Sequence, residues 1–312
     1  MNITLFDTSV ATDNLGDEII IDAIEAVISE VLPNAYVFRV ATHEYMSWVS
    51  RGFLKRSTLS VIGGTNLLSA HMGPFALWKV MPWDVFAFDH AVLLGVGWRD
   101  YMRGPDPYTL WALKRILARE HIHSVRDSYT KEKLTALGRD VRDTACPTMW
   151  SLSPSHCKAI PVWKAEKAVT TLTYYRSDPD ADRRMLETLL RHYREVFFWA
   201  QQSDDQRYFE GLRVPGIRPI SPSVRRYTEF LDNEDVDFVG TRLHGGIRAM
   251  QKRKRSLILA VDNRAKEIAR TCHLPVLDRT DITTIEEWIC GEQVTAVTLP
   301  EAEIAAWKAQ FQ

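Results

Sequence analysis

The sequence has little cysteine and no pattern that would pair what it has. This absence indicates neither a zinc knuckle nor a disulfide framework. Long apolar runs are missing as well, and no window reaches the length of an uninterrupted transmembrane helix. The four cysteines lie far apart and form no C-x-x-C motif: Cys146, Cys157, Cys272 and Cys290.

An excess of charge of one sign is also missing. The 39 lysines and arginines nearly balance the 40 aspartates and glutamates, which gives a net charge of -1. This balance argues against non-specific binding to nucleic acid or to an anionic membrane, so we expect no nucleic-acid partner. Residues 1–6 lack the basic region of a signal peptide and predict a first β-strand. We therefore expect a cytoplasmic protein, placed at the inner face of the membrane if it meets one.

The length and the apolar pattern predict the architecture. The chain has 312 residues, more than one hydrophobic core usually serves. Strand patterns alternate with helix patterns, as in a parallel, doubly wound α/β sheet. The predicted strands include Ala91–Leu94, Ile122–Val125 and Val196–Ala200, and the predicted helices include Gly16–Glu30 and Trp111–Glu120. A polar segment with three prolines, residues 147–161, reads as a linker. We predict two Rossmann-like domains, residues 1–150 and 151–312, facing each other across a cleft, with a last helix over Pro300–Gln312.

The segment Thr241–Gly246 places an arginine, a histidine and two glycines between a predicted strand and a predicted helix. Open α/β sheets bind ligands at such turns, and the N-terminus of the helix that follows favours anions. Arg242 offers a planar fork for phosphate or carboxylate, and His244 can move a proton near neutral pH. The alternative is a helix-starting turn with a satisfied histidine.

Two turns in the N-terminal half also follow predicted strands. In the first, Asp17 is either a cap of the next helix or a general base for a sugar hydroxyl. In the second, two glycines form either a backbone cradle for an oxyanion or an ordinary tight turn. Neither turn has the G-x-G-x-x-G fingerprint, so no dinucleotide is indicated. The residues of these two turns are Asn14, Gly16 and Asp17, and then Gly63, Gly64, Thr65 and Asn66.

Two more turns add cationic side chains. Arg126 either reaches an anion or pairs with Asp127 or Asp143, and surface pairs of that kind contribute little. The segment 262–266 ends another predicted strand and carries Asn263, Arg264 and Lys266. A small trianionic ligand requires several charge-assisted bonds. We therefore predict a clamp made by Arg126, Arg242 and one of Arg264 and Lys266.

The sequence is rich in tryptophan, with ten residues, and aromatic side chains cluster between Trp78 and Phe88. Most of these aromatic side chains are expected in the core. An exposed subset would be suited to stack on a sugar ring or to touch a membrane interface. Peripheral membrane contact therefore stays open.

In their order and spacing, these turns resemble the polysaccharide pyruvyl transferase family. The resemblance extends from residue 14 to about residue 270 and implies a fold similar to two-domain, GT-B type glycosyltransferases. The matching segments are Asn14–Asp17, Gly63–Asn66, Ser124–Asp127, Cys146–Thr148, Arg242–Gly245 and the basic turn 262–266.

The resemblance implies an enzyme of bacterial exopolysaccharide biosynthesis that uses phosphoenolpyruvate to place a ketal-linked pyruvate on two hydroxyls of a sugar. The acceptor would be a saccharide, free or lipid-linked. His244 would transfer protons and Asp17 would help to deprotonate the acceptor. We expect no cofactor and no metal, so activity should survive a chelator. The donor-binding residues implied are Arg126, Arg242, Gly245, Asn263, Arg264 and Lys266.

Two other functions remain open at this point. A glycosyltransferase of the same architecture would use a nucleotide-sugar, and a non-catalytic protein would bind a sugar or an anion without releasing phosphate.

Overall fold

The computed structural model of the chain describes residues 1–99, 104–261 and 263–312, the side chains of residues 263–267 excepted. These residues divide into two compact units. The first unit consists of Met1–Thr12, Asp17–Thr148 and Pro300–Gln312, and the second consists of Asp13–Gly16 and Met149–Leu299.

The first unit is built on parallel strands. β2, β1, β3 and β4 are hydrogen-bonded in that order, and β5 pairs with β6. A parallel bridge between Val96 and Val125 links the two groups. The strand order reverses between β1 and β3, which makes the carboxyl ends of these two strands the switch point at which α/β sheets bind ligands. The strands are β1 (Asn2–Asp7), β2 (Tyr36–Ala41), β3 (Leu59–Gly63), β4 (Ala91–Leu94), β5 (Ile122–Val125) and β6 (Asp140–Asp143).

The second unit has a six-stranded parallel sheet. Its order is β12-β11-β10-β7-β8-β9, which is the order of a Rossmann sheet. The chain moves outward through β8 and β9, then returns to the other side of β7 with β10, so the switch point lies between β7 and β10. The strands are β7 (Lys167–Thr170), β8 (Glu195–Trp199), β9 (Ile217–Ile220), β10 (Val236–Gly240), β11 (Ser256–Ala260) and β12 (Val276–Asp278).

Helices connect the strands in both units, as parallel pairing requires. None of the helices in the described ranges combines the length and the apolar character that crossing a bilayer requires. Their bounds are α1 (Leu15–Val31), α2 (Trp48–Arg56), α3 (Pro107–Ile116), α4 (Ser128–Thr135), α5 (Pro154–Lys158), α6 (Pro179–His192), α7 (Ser203–Leu212), α8 (Val224–Asn233), α9 (Leu243–Gln251), α10 (Asn263–Cys272), α11 (Ile282–Cys290) and α12 (Glu301–Ala309).

Aromatic side chains fix the core of the first unit. Phe6 of β1 stacks on Phe88 with ring centroids 5.1 Å apart, and it meets Trp78 edge to face at 5.7 Å. All three rings are buried. Burying an aromatic side chain of this kind contributes roughly 1.5–3 kcal/mol, and the contact geometry adds to that. Trp78 and Phe88 are thus core residues, as expected for most of the aromatic stretch.

The structure confirms the α/β class with parallel sheets, and two details differ from expectation. The helix predicted over Trp111–Glu120 is wrong in its bounds. α3 starts earlier because Asp106 accepts the N–H of Thr109 at 2.7 Å and Pro107 occupies the first helical position. It ends at Ile116, and the N–H of Ala118 already donates to Ala91 in the sheet at 2.9 Å.

The second difference concerns the C-terminal helix, which the sequence placed with residues 151–312. α12 belongs to the first unit. Its Trp307 is fully buried. The side chain of Gln310 accepts the N–H of Ile122 at 2.9 Å and donates to its carbonyl at 3.0 Å. The boundary near residue 150 falls between Thr148 and Met149. A periodic pattern reveals that a helix exists but not which sheet it will cover, because that contact is non-local.

Candidate functional site

Threonines hold the turn that carries Arg242 at the switch point of the second unit. The turn follows β10, and Thr171 follows the neighbouring β7. The N–H of Arg242 donates to Oγ1 of Thr171, and the N–H of Thr241 donates to its carbonyl, both at 3.0 Å. The hydroxyls of Thr173 and Thr241 lie 2.8 Å apart and are buried. Hydrogen bonds between the residues that follow two adjacent strands therefore fix the backbone at Arg242.

The guanidinium of Arg242 is buried in a two-point ion pair with Asp205. Nε donates to one carboxylate oxygen at 2.8 Å and Nη2 to the other at 2.5 Å. Nη2 also donates to the side-chain oxygen of Gln202, and the ring of Tyr175 lies under the guanidinium at 5.0 Å. The opposite charge of Asp205 offsets the cation at this position. Arg242 is therefore held in one orientation by residues that follow β7 and β8.

The N-terminus of α9 lies at the same switch point. Arg242 is its N-cap residue and gives no side-chain cap to the first-turn N–H groups. By contrast, α3, α8 and α11 are each capped by a side chain that accepts a first-turn N–H. These N-cap residues are Asp106, Ser223 and Asp281. The first turn of a helix carries unpaired N–H groups and a positive partial charge, which together favour an anion.

His244 and Gly245 are the second and third residues of α9. The side chain of His244 is half-buried, so it is not enclosed in an apolar interior. Gly245 is buried, and its carbonyl accepts the hydroxyl of Tyr227 at 3.0 Å. On Gly246, a Cβ would lie 2.7 Å from Ile258 and 2.9 Å from Phe238. Gly246 thus allows α9 to sit close to its sheet, with His244 at the helix start.

The segment Asp13–Gly16 belongs to the second unit and contacts Gln201 there. Oδ1 of Asn14 accepts the N–H of Gly16 at 3.1 Å and the side-chain amide of Gln201 at 2.8 Å. A Cβ on Gly16 would lie 2.6 Å from that amide nitrogen, so only glycine fits without displacing it. Asn14, and not Asp17, is therefore the residue that caps the start of α1.

Asp17 lies in the first turn of α1, in the first unit. Its side chain is buried, and Oδ2 accepts the hydroxyl of Thr12 at 2.9 Å. The next residue, Glu18, is half-buried, and burial, together with Asp22 and Asp7, raises the pKa of its carboxyl above the ordinary value. Two acidic side chains with different surroundings thus lie at the carboxyl end of β1.

The double glycine after β3 packs against α1. A Cβ on Gly63 would lie 2.7 Å from Ile24, and one on Gly64 would lie 2.1 Å from Ile20. Gly64 and Thr65 both have positive φ, +59° and +44°. The glycines therefore let the helix approach the sheet and the chain turn sharply, which accounts for both of them without a ligand.

Arg126, Asn66 and Gly97 come together at the carboxyl ends of β3, β4 and β5. Nη2 of Arg126 donates to Oδ1 of Asn66, and Nε lies 3.8 Å from Asp127. A Cβ on Gly97 would lie 2.4 Å from both Nε of Arg126 and Oδ1 of Asn66. The guanidinium is mostly buried, with 14% of the side chain exposed. The sequence did not predict that Gly97 packs against Arg126 and Asn66.

The predicted basic turn is outside the described residues. Asp262 and the side chains of Asn263, Arg264 and Lys266 lie outside the described part of the chain, although α10 begins at Asn263. In the ranges that the structure describes, no three histidine, cysteine or carboxylate side chains gather to hold a metal ion.

Sequence reasoning also missed Asp205, Gln201, Gln202 and Thr171. Gln201-Gln202-Ser203-Asp204-Asp205 follows the predicted strand over Val196–Ala200, so the same signal of a polar run after a strand was present. Gln202 and Asp205 form a capping box at the start of α7.

The comparisons with known proteins are consistent with this geometry. A family model described as polysaccharide pyruvyl transferase matches residues 14–263. No curated protein matches the chain.

Two solved structures show the likeness in fold. UDP-GlcNAc 2-epimerase of Methanocaldococcus jannaschii, in complex with UDP-GlcNAc and UDP, is 10% identical at a TM-score of 0.54, with 99% of this chain and 97% of that chain covered. MnaA of S. aureus, with UDP, is 10% identical at a TM-score of 0.51, with 98% and 90% covered. At such identities the likeness shows the GT-B-like fold alone. The family match spans most of the chain and includes all the strand-end turns described above except part of the basic turn. The protein therefore belongs to the polysaccharide pyruvyl transferase family, a family of transferase enzymes.

Proposed function

We propose that this transferase takes its three-carbon group from phosphoenolpyruvate and joins it as a cyclic ketal to two hydroxyls of a saccharide. The observation that carries this proposal is the start of α9 at the second switch point, where the positive end of the helix lies beside His244 and the fixed Arg242, and where the Arg242 side chain gives no cap. Phosphoenolpyruvate carries a carboxylate and a phosphate, and both are suited to such a helix start.

The proposed reaction begins with proton transfer to the donor and ends with release of inorganic phosphate. A proton is added to the methylene carbon of the donor, which makes C2 electrophilic. A sugar hydroxyl oxygen bonds to C2 and loses its proton. The bond between C2 and the phosphate oxygen then breaks, with its electron pair leaving on phosphate. The second hydroxyl bonds to C2 and loses its proton, which leaves a ketal and inorganic phosphate.

His244 is the proposed group that moves the proton at the donor, because it is half-buried at the helix start. Asp17 is the proposed base for the acceptor hydroxyl. Arg242 is proposed to position the donor rather than to supply most of the positive charge, since Asp205 offsets its cation. Gly245 would contribute its N–H, and Asn263 with Arg264 or Lys266 would bind the donor's anionic groups.

The remaining strand-end turns have two proposed roles. Arg126 of the first unit, oriented by Asn66, is a proposed donor-binding residue. Asn14, Gly16, Gly63, Gly64 and Thr65 are proposed to shape the acceptor side, through their backbone or through the helix that they bring close to the sheet. The proposed acceptor is a saccharide, either free or lipid-linked.

A phosphate-release assay tests the proposal. Purified protein would be mixed with phosphoenolpyruvate and a panel of free and lipid-linked saccharides, and inorganic phosphate would be measured. 3-Phosphoglycerate is the matched control, since it carries a carboxylate and a phosphate but no enol. Release that depends on both donor and acceptor is the expected result.

Thermal shift separates the proposal from a nucleotide-sugar enzyme. Phosphoenolpyruvate at about 100 times its Kd would stabilise the fold by about 2.7 kcal/mol, whereas UDP-GlcNAc should not. Stabilisation by the UDP-sugar alone would favour a glycosyltransferase. Stabilisation by phosphoenolpyruvate without phosphate release from any acceptor would favour a binding protein.

A further inference from the structure

The first unit exposes a set of large apolar side chains that its fold does not use. Phe75 is 95% exposed and Trp48 is 85% exposed, and the others are between two-fifths and two-thirds exposed. Single exposed apolar residues are ordinary, but a contiguous group of this size marks an interaction site. We call this group the aromatic face: Tyr45, Trp48, Val49, Phe75, Trp83, Phe86 and Trp111.

Contacts at one end join α2 to the 3-10 turn over Val85–Ala87. The guanidinium of Arg51 lies 4.9 Å from the ring of Trp48, and its Nε donates to Asp84 at 2.6 Å. Asp84 directly follows Trp83 in the chain. The ring of Phe86 meets that of Trp111 on α3 at 5.7 Å. Arg51 thus links Trp48 to the turn that carries Trp83 and Phe86, and Phe86 contacts Trp111.

Contacts of Lys79 join the other end. Its Nζ lies 5.8 Å from the ring of Tyr45 and donates to the carbonyl of Pro74 at 3.1 Å. Pro74 directly precedes Phe75. Lys79 thus contacts both Tyr45 and the residue before Phe75, and Tyr45 is three residues from Trp48.

Buried neighbours hold these rings outward. Asp84 is fully buried and accepts both Arg51 and the N–H of Met81, the latter at 3.0 Å. Val85 and Ala87, on either side of Phe86, are core residues. The exposed rings therefore stand on a well-anchored segment.

The segment that carries most of the aromatic face has an excess of cations, although the exposed Glu44 and Asp89 flank it and Arg51 is paired with the buried Asp84. No aspartate or glutamate occurs between Glu44 and Asp84, although the same stretch holds four cations, Arg51, Lys55, Arg56 and Lys79. α3 adds the exposed Lys114 and Arg115, with no acidic residue in the helix. The net charge of -1 for the whole chain conceals this local excess.

We propose that the aromatic face docks on the surface of an anionic lipid bilayer. Tryptophan and tyrosine favour the membrane–water interface, because their rings are apolar while their N–H and O–H groups remain hydrated. Cations beside an apolar surface add attraction to anionic headgroups. A sugar or a protein partner would explain the rings but not the excess of cations in α2 and at the end of α3. The docking does not depend on the donor or on the chemistry proposed above.

Vesicle co-sedimentation of the full chain tests this proposal, without donor or acceptor. The protein should partition onto vesicles containing phosphatidylglycerol and only weakly onto pure phosphatidylcholine, and high salt should release it. Trp48→Ser with Phe75→Ser should lower the partition coefficient by about tenfold or more. The matched control is Trp163→Ser with Val294→Ser, two exposed apolar residues of the second unit.

Charge is tested separately. Lys55→Gln with Arg56→Gln should lower partitioning by about fivefold per cation removed. Arg225→Gln with Arg226→Gln, two adjacent arginines of α8, should leave it unchanged.

Three results would overturn the proposal. One is equal partitioning of the aromatic variant and the parent protein. Another is the absence of partitioning onto anionic vesicles. The third is a protein that self-associates without lipid and becomes monomeric only in the aromatic variant, which would make the aromatic face an interface between two copies of the chain.

Discussion

Arg242 and Asp205 form a buried ion pair through two nearly parallel hydrogen bonds, although they are 37 residues apart in the chain. Asp205 also caps α7 by accepting the N–H of Gln202, and its other oxygen accepts the N–H of Tyr174. The pair therefore ties three strand-end segments of the second unit to one another.

Removing one member of this pair should be strongly destabilising. Asp205→Ala leaves the guanidinium buried without its counter-charge, a change that typically costs about 3–5 kcal/mol. Denaturant unfolding measures the loss. The exposed pair of Arg226 and Glu229 is the control, and Glu229→Ala should cost less than about 1 kcal/mol. Equal effects of the two variants would mean that the buried pair does not organise the turn.

Two glycines of the first unit should separate stability from activity. Gly95 has a φ of +66°, and a Cβ there would lie 2.1 Å from the ring of Pro147. Gly95→Ala should therefore destabilise the fold by about 1–3 kcal/mol.

Gly97→Ala should instead act on Arg126, because its Cβ would occupy the space of Nε. A misplaced binding group costs on the order of 100-fold in rate, so kcat/KM should fall by about that factor. The unfolding free energy should change less than in Gly95→Ala. Unchanged kcat/KM in a folded Gly97→Ala protein would remove Arg126 from donor binding.

His244 should affect the chemical step. His244→Gln removes a group that can exchange a proton near neutral pH, and turnover should fall by about 10²–10⁴-fold while the protein stays folded. His273→Gln is the control, since His273 is exposed and its Nδ1 lies 3.0 Å from Thr298. Steady-state phosphate release measures both variants, and near-normal turnover of His244→Gln would exclude the proposed role.

His123 should make the stability of the protein depend on pH. Its Nε2 donates to the carbonyl of Ala118 at 2.9 Å, and its Nδ1 accepts the N–H of Leu93 at 3.3 Å, so a second proton would face a donor. Burial lowers the pKa of His123 to about 4 from its ordinary 6.5. The unfolded chain binds the proton first as pH falls, so stability present above pH 6.5 is lost as pH falls toward about 4.

The full loss from this group corresponds to about 3 kcal/mol. Unfolding free energies at pH 7 and pH 4 would measure it, for the parent protein and for His123→Gln. The variant should lose less stability between these two pH values. An equal loss in both proteins would show that other groups cause the acid dependence.

Local patterns were enough to find most strands and many helices. β4 and β5 occur at the predicted residues, and the α1 helix extends the predicted one by one residue at each end. Elements with weaker apolar contrast, such as α2, α7 and the three-residue β12, escaped prediction. The last helix was predicted but was placed in the wrong unit. The apolar pattern of Glu301–Ala309 does not indicate that the helix packs on β5 and β6.

The candidate site was predictable in position but not in organisation. Arg126, Arg242 and His244 follow strands, as the sequence indicated. Gly63 and Gly64 allow α1 to pack closely on the sheet. An apolar run such as Ile19–Ile21 predicts that the helix is buried but not which residues it packs against. That Asn14 and not Asp17 caps α1 also required the coordinates, since both residue types are favoured near a helix start.

The sequence by itself determined the alternation of strands and helices and the residue types at each strand end, because both depend on neighbours a few positions apart. Only the tertiary structure decided that Arg242 meets Asp205, that Arg126 meets Asn66, and that the seven apolar side chains of the aromatic face are exposed. Those pairings follow from the order of strands in each sheet, and hydrophobic patterning along the chain is the same for many such orders.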